Sequence, residues 1–196
     1  MAFDLATAKT RLGILDTTQD ALLQIGLDTA IALAENYCKR LFPYASEVAH
    51  FYYPTANTLS LPRYPVEQVA SITGTKSGAA ISDYKVDKSA GLIEFGRHDY
   101  YHRGPNQIDV TYAGGYKTYP ADLELAFWMI FDTLWPTLSS TGGAAPTTGG
   151  AVKSISSDGA RIEYDVSGGS VAGVDSDTGL PTMSINILDN YVKERA

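Results

Sequence analysis

The chain has 196 residues, with 44% hydrophobic and 19% charged side chains, which suits one globular domain with an appendage and excludes a disordered chain. Acidic residues outnumber basic ones 22 to 15, and a net charge of −7 excludes general attraction to nucleic acid, because phosphate binding needs a basic face. One cysteine, Cys38, excludes an internal disulfide and any cysteine-spaced zinc site.

MAFDLATAKTRLGIL lacks a basic start followed by an unbroken apolar stretch, so no secretory signal is expected, and no apolar run reaches membrane-spanning length. A short helix is predicted from about Asp4 to Ile14, with Asp4 as cap and Leu5, Ala8 and Leu12 at helical spacing. Asp16-Thr17-Thr18-Gln19 resembles a capping box, and a long helix should follow to about Leu41. Its stripe is Leu23, Leu27, Ala30, Ile31, Ala34, Cys38 and Leu41, with Lys39 and Arg40 expected in the last turn and Pro43 as the stop. Cys38 reads as core filling.

From His50 to Tyr116 the texture changes to short β-rich runs: HFYY near 50–53, Leu59 with Leu61, Val66–Thr73, Tyr84–Val86, Leu92–Phe95 and Ile108–Tyr112. Prolines and glycines between them predict tight turns and a small antiparallel sheet. Ile108, Val110 and Tyr112 share one face of their strand. A third helix is predicted from near Pro120, with Asp122 and Glu124 at its positive end and Pro136 at its close. Its stripe of Leu123, Phe127, Ile130 and Leu134 is widened by Trp128 and Trp135. Such a surface fits either a helix packed on two sides or a subunit interface, since aromatics enrich interface cores.

The stretch SSTGGAAPTTGG predicts a flexible linker at 139–150. VKSIS and ARIEYDV then flank Ser157-Asp158-Gly159 as a hairpin, and an amphipathic helix is predicted near Met183–Glu194. There Ile185, Leu188 and Tyr191 or Val192 face one way. A hairpin and one short helix bury little alone, so they must dock on the main domain or on a neighbour. The fold class is therefore α+β: a small helical bundle with a small antiparallel sheet, in a domain of residues 1–138, a linker, and a partner-docking region 151–196.

Signatures of chemistry are scarce. Phosphate-loop, dinucleotide, nucleophile-elbow and zinc-protease motifs are all missing from the sequence. His98 and His102 flank Asp99 at a spacing that binds metal only on a helix, whereas Gly96 and Gly104-Pro105 bracket them as a loop. Asp122/Glu124 fit a helix dipole, and Asp175/Asp177 lie in a loop too poor in oxygen ligands for calcium. No catalytic residue, cofactor or metal is assigned, and an enzyme is not expected.

The order of segments does carry a resemblance. DLATAKTRLGI is followed by DALLQIGLDTAIALAENYCKRLF, then LPRYPVEQVASI at 61–72, DYKVDKSAGLIEF at 83–95 and VTYAGGYKTYPADLELA at 110–126. This ordered set resembles the phage head–tail connector family, also called head-completion adaptors, over roughly the first 138 residues. The closing ILDNYVKERA is similar to the tail of several connectors.

The resemblance implies a structural virion protein, assembled in the host cytoplasm and placed in the neck. It implies a homo-oligomeric ring of about twelve subunits, a dodecamer matching the portal's rotational symmetry. Its implied partners are the portal protein, neighbouring copies, a downstream stopper or tail protein, and DNA that passes without sequence-specific binding. Portal contacts would fall to Ile185, Leu188, Tyr191 and Val192 in a helix-in-groove mode, and subunit contacts to Trp128, Trp135, Tyr100 and Tyr101. The alternatives are another neck or tail-completion protein, or a soluble peptide- or sugar-binding module presenting Tyr52, Tyr53, Tyr100 and Tyr101. A hydrolase would need a pocket joining His98 or His102 to an acid.

Overall fold

A computed structural model describes residues 3–52, 58–74, 80–96, 107–139, 154–157, 160–163, 174–175 and 177–193. The chain divides into two compact units, one formed by residues 1–37 and 120–191, the other by 38–119 and 192–196. The fold class is α+β, as the sequence predicts.

The first unit is mainly helical. Helix α1 spans Leu5–Leu12. Asp4 caps it by accepting the Thr7 amide at 2.8 Å, and Gly13 closes it in the left-handed conformation, φ 69°. Helix α2 spans Asp20–Cys38. The expected capping box does not form. Asp16 instead accepts the Thr18 amide at 3.1 Å and the Thr18 hydroxyl at 2.7 Å, an Asx turn that delays the helix to Asp20. Helix α3 spans Ala121–Ser139 and carries Pro136 inside it, three residues beyond the expected stop. Proline here ends nothing, because only one amide donor is lost near the helix end.

Helix α4, Thr182–Leu188, runs into a single 3-10 turn at Asp189–Tyr191, shorter than predicted. It packs against α3, with Leu188 and Leu180 in the core beside Leu123, Ala126, Phe127, Ile130 and Phe131. Within the chain, then, this helix docks on its own main body. Gly26 in α2 permits close approach: a Cβ there would meet Phe131 Cε2 at 2.9 Å. The hairpin exists, as β7 (Ser154–Ser157) and β8 (Ala160–Glu163), antiparallel with Ile155 opposite Ile162. The expected linker and the loop after the hairpin lie almost wholly outside the described residues.

The second unit holds two antiparallel three-stranded sheets, where one was predicted. The first has the order β1 (Ala45–Tyr52), β6 (Gln107–Gly114), β3 (Val66–Gly74). The second has the order β2 (Thr58–Ser60), β5 (Leu92–Phe95), β4 (Tyr84–Asp87). Ile108, Val110 and Tyr112 share a buried face as the alternation requires, joining Leu61, Ile72, Ile93 and Phe95 in one core. Tertiary demand also shortens α2. Lys39 turns left-handed at φ 56°, so the helix ends at Cys38, and neither Lys39 nor Arg40 lies in its last turn. Leu41 then pairs with Arg63 as a β-bridge, its amide donating to the Pro62 carbonyl at 2.8 Å.

Candidate functional site

In the first unit the predicted interface residues separate by burial. Trp128 is only 5% exposed. Its ring meets Phe3 edge-on at 4.7 Å and Phe131 at 5.7 Å, and Arg11 lies 5.3 Å over it. Arg11 is itself anchored on Asp132 at 2.5 Å. For Trp128 the arrangement is thus a helix packed on two sides. Trp135 stacks on Phe131 at 5.8 Å and stays half-buried. Tyr100 and Tyr101, with Tyr53 and the His98–His102 loop, lie outside the described residues.

The helix assigned to portal contact is likewise divided. Leu188 is fully enclosed, Ile185 is half-buried and Met183 is 60% exposed. The Tyr191 hydroxyl bonds Asp122 at the start of α3 at 2.8 Å, and Asp189 accepts from the Tyr37 hydroxyl at 2.5 Å. These two phenols brace α4 and its following turn. The sequence gives no clue to them, since the partners lie 69 and 152 positions away. Leu15, between α1 and α2, is 97% exposed and went unremarked in the sequence because a single leucine in a turn has no pattern.

The second unit holds the charged groups that sequence reasoning missed. Arg40 is buried, its guanidinium carbon 5.1 Å from the Phe42 ring, 3.3 Å from Tyr64 and 5.6 Å from Tyr116. One of its nitrogens donates to the Tyr64 carbonyl. The chain's last described residues return to this unit. The Lys193 amide donates to the Cys38 carbonyl at 2.8 Å and its ammonium to the Ser60 carbonyl at 3.0 Å. Burial, aided by repulsion from Arg40, lowers the Lys193 pKa. Val192, beside it, is 41% exposed.

Glu47 accepts from the Tyr112 hydroxyl at 2.5 Å and from Arg63 at 3.3 Å, and Arg63 also donates to the Pro43 carbonyl. Burial first, and then the bond to Glu47, push the Tyr112 phenol far up. Outside, Glu67 accepts from Lys117 at 2.6 Å and from the Tyr44 hydroxyl, with Lys117 poised 4.6 Å over the Tyr44 ring. The bond from Lys117, then that from Tyr44, hold the Glu67 carboxyl below its usual range. On β1, His50 pairs with Asp109 at 2.7 Å between Val48, 47% exposed, and Tyr52, 67% exposed.

A shallow groove lined by Thr58, Lys85, Asp87, Lys88, Ser89 and Glu94 balances two cations against two anions. Asp175 spends its carboxylate on its own loop, accepting from the Thr178 amide and hydroxyl at 2.8 Å. Among the described residues, no three His, Cys, Asp or Glu side chains gather as a metal site. No described helix is long and apolar enough to cross a membrane.

Taken together, the side chains that stand out brace an α+β scaffold and shape its surfaces. Residues 3–93 match the sequence model of the phage gp6-like head-tail connector protein family, so the resemblance carried by the segment order is found there directly. No curated protein sequence matches the chain. Solved structures share the fold. A chain of the neck of an empty gene transfer agent (GTA) particle, computed with C6 symmetry, aligns with TM-score 0.56 at 15% identity, covering 98% of this chain and 90% of that one. A chain from the virion of the native GTA particle gives 0.56 at 12%, covering 93% and 82%. A chain from the native particle's neck, computed with C12 symmetry, gives 0.53 at 14%, covering 98% and 90%.

Proposed function

We propose that this chain is a structural protein of a virion neck, a head–tail connector that forms a ring joining the capsid portal to the tail. The observation that carries this reading is the connector family match at 3–93, continued by a fold shared over nearly the whole chain with proteins of GTA necks. The C6 and C12 symmetries of those necks support a ring as the assembled form. The net charge of −7 suits a passage that lets DNA slide without gripping it. The work of the protein is assembly and sealing, with no covalent chemistry.

Its partners in this reading are the portal, further copies of itself, and a stopper or tail component below. The surfaces offered to them are those the core leaves free: Met183, Val192 and the open side of Ile185 for the portal, and Trp135 for a neighbour. The test is mass by light scattering, with and without the purified portal of the same particle. A complex of ring stoichiometry on the portal is expected. A chain that remains monomeric at all concentrations and ignores the portal overturns the reading.

A further inference from the structure

The two flanks of the β1-β6-β3 sheet are finished differently. On β3 the pairing with β6 slips at Val66/Gln68 and again at Val69/Ser71. Its outer edge is also occupied: the Val66 amide donates to the Lys88 carbonyl at 2.7 Å, and the Ile72 carbonyl accepts from Ile81 at 2.9 Å. Bulges and covered ends are how sheets keep an edge from recruiting strands. Strand β1 has none of these devices. It runs eight residues in unbroken register with β6, its sequence ASEVAHFY contains no lysine or proline, and among the described residues it pairs with nothing else. Its outward residues Val48 and Tyr52 are exposed and apolar.

The complementary deficit belongs to the β7–β8 hairpin. It has four residue pairs, and among the described residues neither strand has a second neighbour. A lone two-stranded hairpin is marginal in water and needs a third strand or an apolar support. Among the described residues, one chain thus leaves an open eight-residue edge and a hairpin with no third strand at once.

We infer that the hairpin of one copy adds to the free edge of β1 in the next, so that neighbouring subunits are joined by a continuous sheet. The inference rests on the ring proposed above and specifies its contact. Donor and acceptor are different surfaces, so the contact is head-to-tail, the kind that closes a ring. Backbone hydrogen bonds supply the adhesion, along the edge on which Val48 and Tyr52 are exposed.

The test uses full-length chains with Cys38→Ala, assembled on the purified portal and treated with a short bis-maleimide. Val48→Cys and Ser156→Cys chains, mixed, should cross-link into covalent dimers, while either alone should not. Val48→Lys, at an exposed position, should leave the monomer's unfolding midpoint unchanged and weaken ring assembly by about tenfold or more. A ring that forms with no mixed cross-link, or that Val48→Lys leaves intact, overturns the strand exchange and spares the connector reading. Absence of any ring overturns both. Cross-linking of Val48→Cys chains to one another points to edge-to-edge dimers and also overturns it.

Discussion

The guanidinium carbon of Arg40 lies 3.3 Å from the centroid of the Tyr64 ring, while one of its nitrogens donates to the carbonyl of the same tyrosine. The flat cation is clamped face and edge by a single residue. Arg40→Ala should therefore lower the stability of the second unit by about 3 kcal/mol, by emptying a buried site and orphaning a carbonyl. Arg40→Lys should recover less than half, because an ammonium cannot lie flat on the ring and reach the carbonyl together. Urea unfolding of both variants measures the difference.

Gly115 should tolerate no side chain. Its φ is 95°, and a Cβ would meet the Pro43 carbonyl oxygen at 2.5 Å and that of Phe42 at 2.8 Å. Both neighbours are backbone and cannot step aside. Gly115→Ala should cost at least about 2 kcal/mol, seen as a drop in thermal midpoint. Gly13→Ala, with nothing within 4 Å of the added carbon, should cost about 1 kcal/mol from its positive φ alone.

Acid should weaken the fold in a defined window. Asp4, Asp16, Glu67, Asp87 and Asp175 all have pKa values lowered in the folded chain. The causes are bonds from Thr7, Thr18, Lys117 and Tyr44, Ser89 and Ala90, and Thr178. A carboxyl with a depressed folded pKa contributes stability above its unfolded value, near pH 4, and loses it as pH falls through the folded value. Unfolding midpoints should hold steady from pH 7 to about pH 5 and then decline. Asp4→Asn should flatten part of that decline while keeping the α1 cap; a profile unchanged by this substitution would count against it.

Truncation after Gly150 should damage both units. The first unit loses Leu180 and Leu188 from its core and the Tyr191 brace on Asp122. The second loses the Lys193 bonds to Cys38 and Ser60. Removing two buried leucines alone is worth about 4 kcal/mol or more. Hydrogen exchange should show faster opening in α3 and around Cys38; protection equal to the full chain would overturn this.

Helical and strand periodicity were readable wherever burial obeyed them. Of the predicted stripe, Leu23, Leu27, Ala30, Ala34 and Cys38 are buried while Ile31 and Leu41 are half-buried, and six predicted strand runs all form strands. The errors fall where a distant group decided the outcome. Lys39-Arg40 reads as a cationic helix end until Tyr64, Phe42 and Tyr116 enclose the arginine. Pro136 reads as a stop until α3 continues through it. In each case local spacing reported that a side chain is apolar or charged, but not which partner would claim it.

The discontinuity of the two units has a consequence for synthesis. Helices α1 and α2 leave the ribosome before the rest of their unit, which is completed only by residues 120–191, after the whole 38–119 segment has emerged. At about 5–20 residues per second, the nascent helices wait several seconds with their apolar stripe uncovered. The second unit in turn gains the Lys193 bonds to Cys38 and Ser60 only after residues 120–191 have emerged. Both units are therefore incomplete until residues 120–193 have emerged.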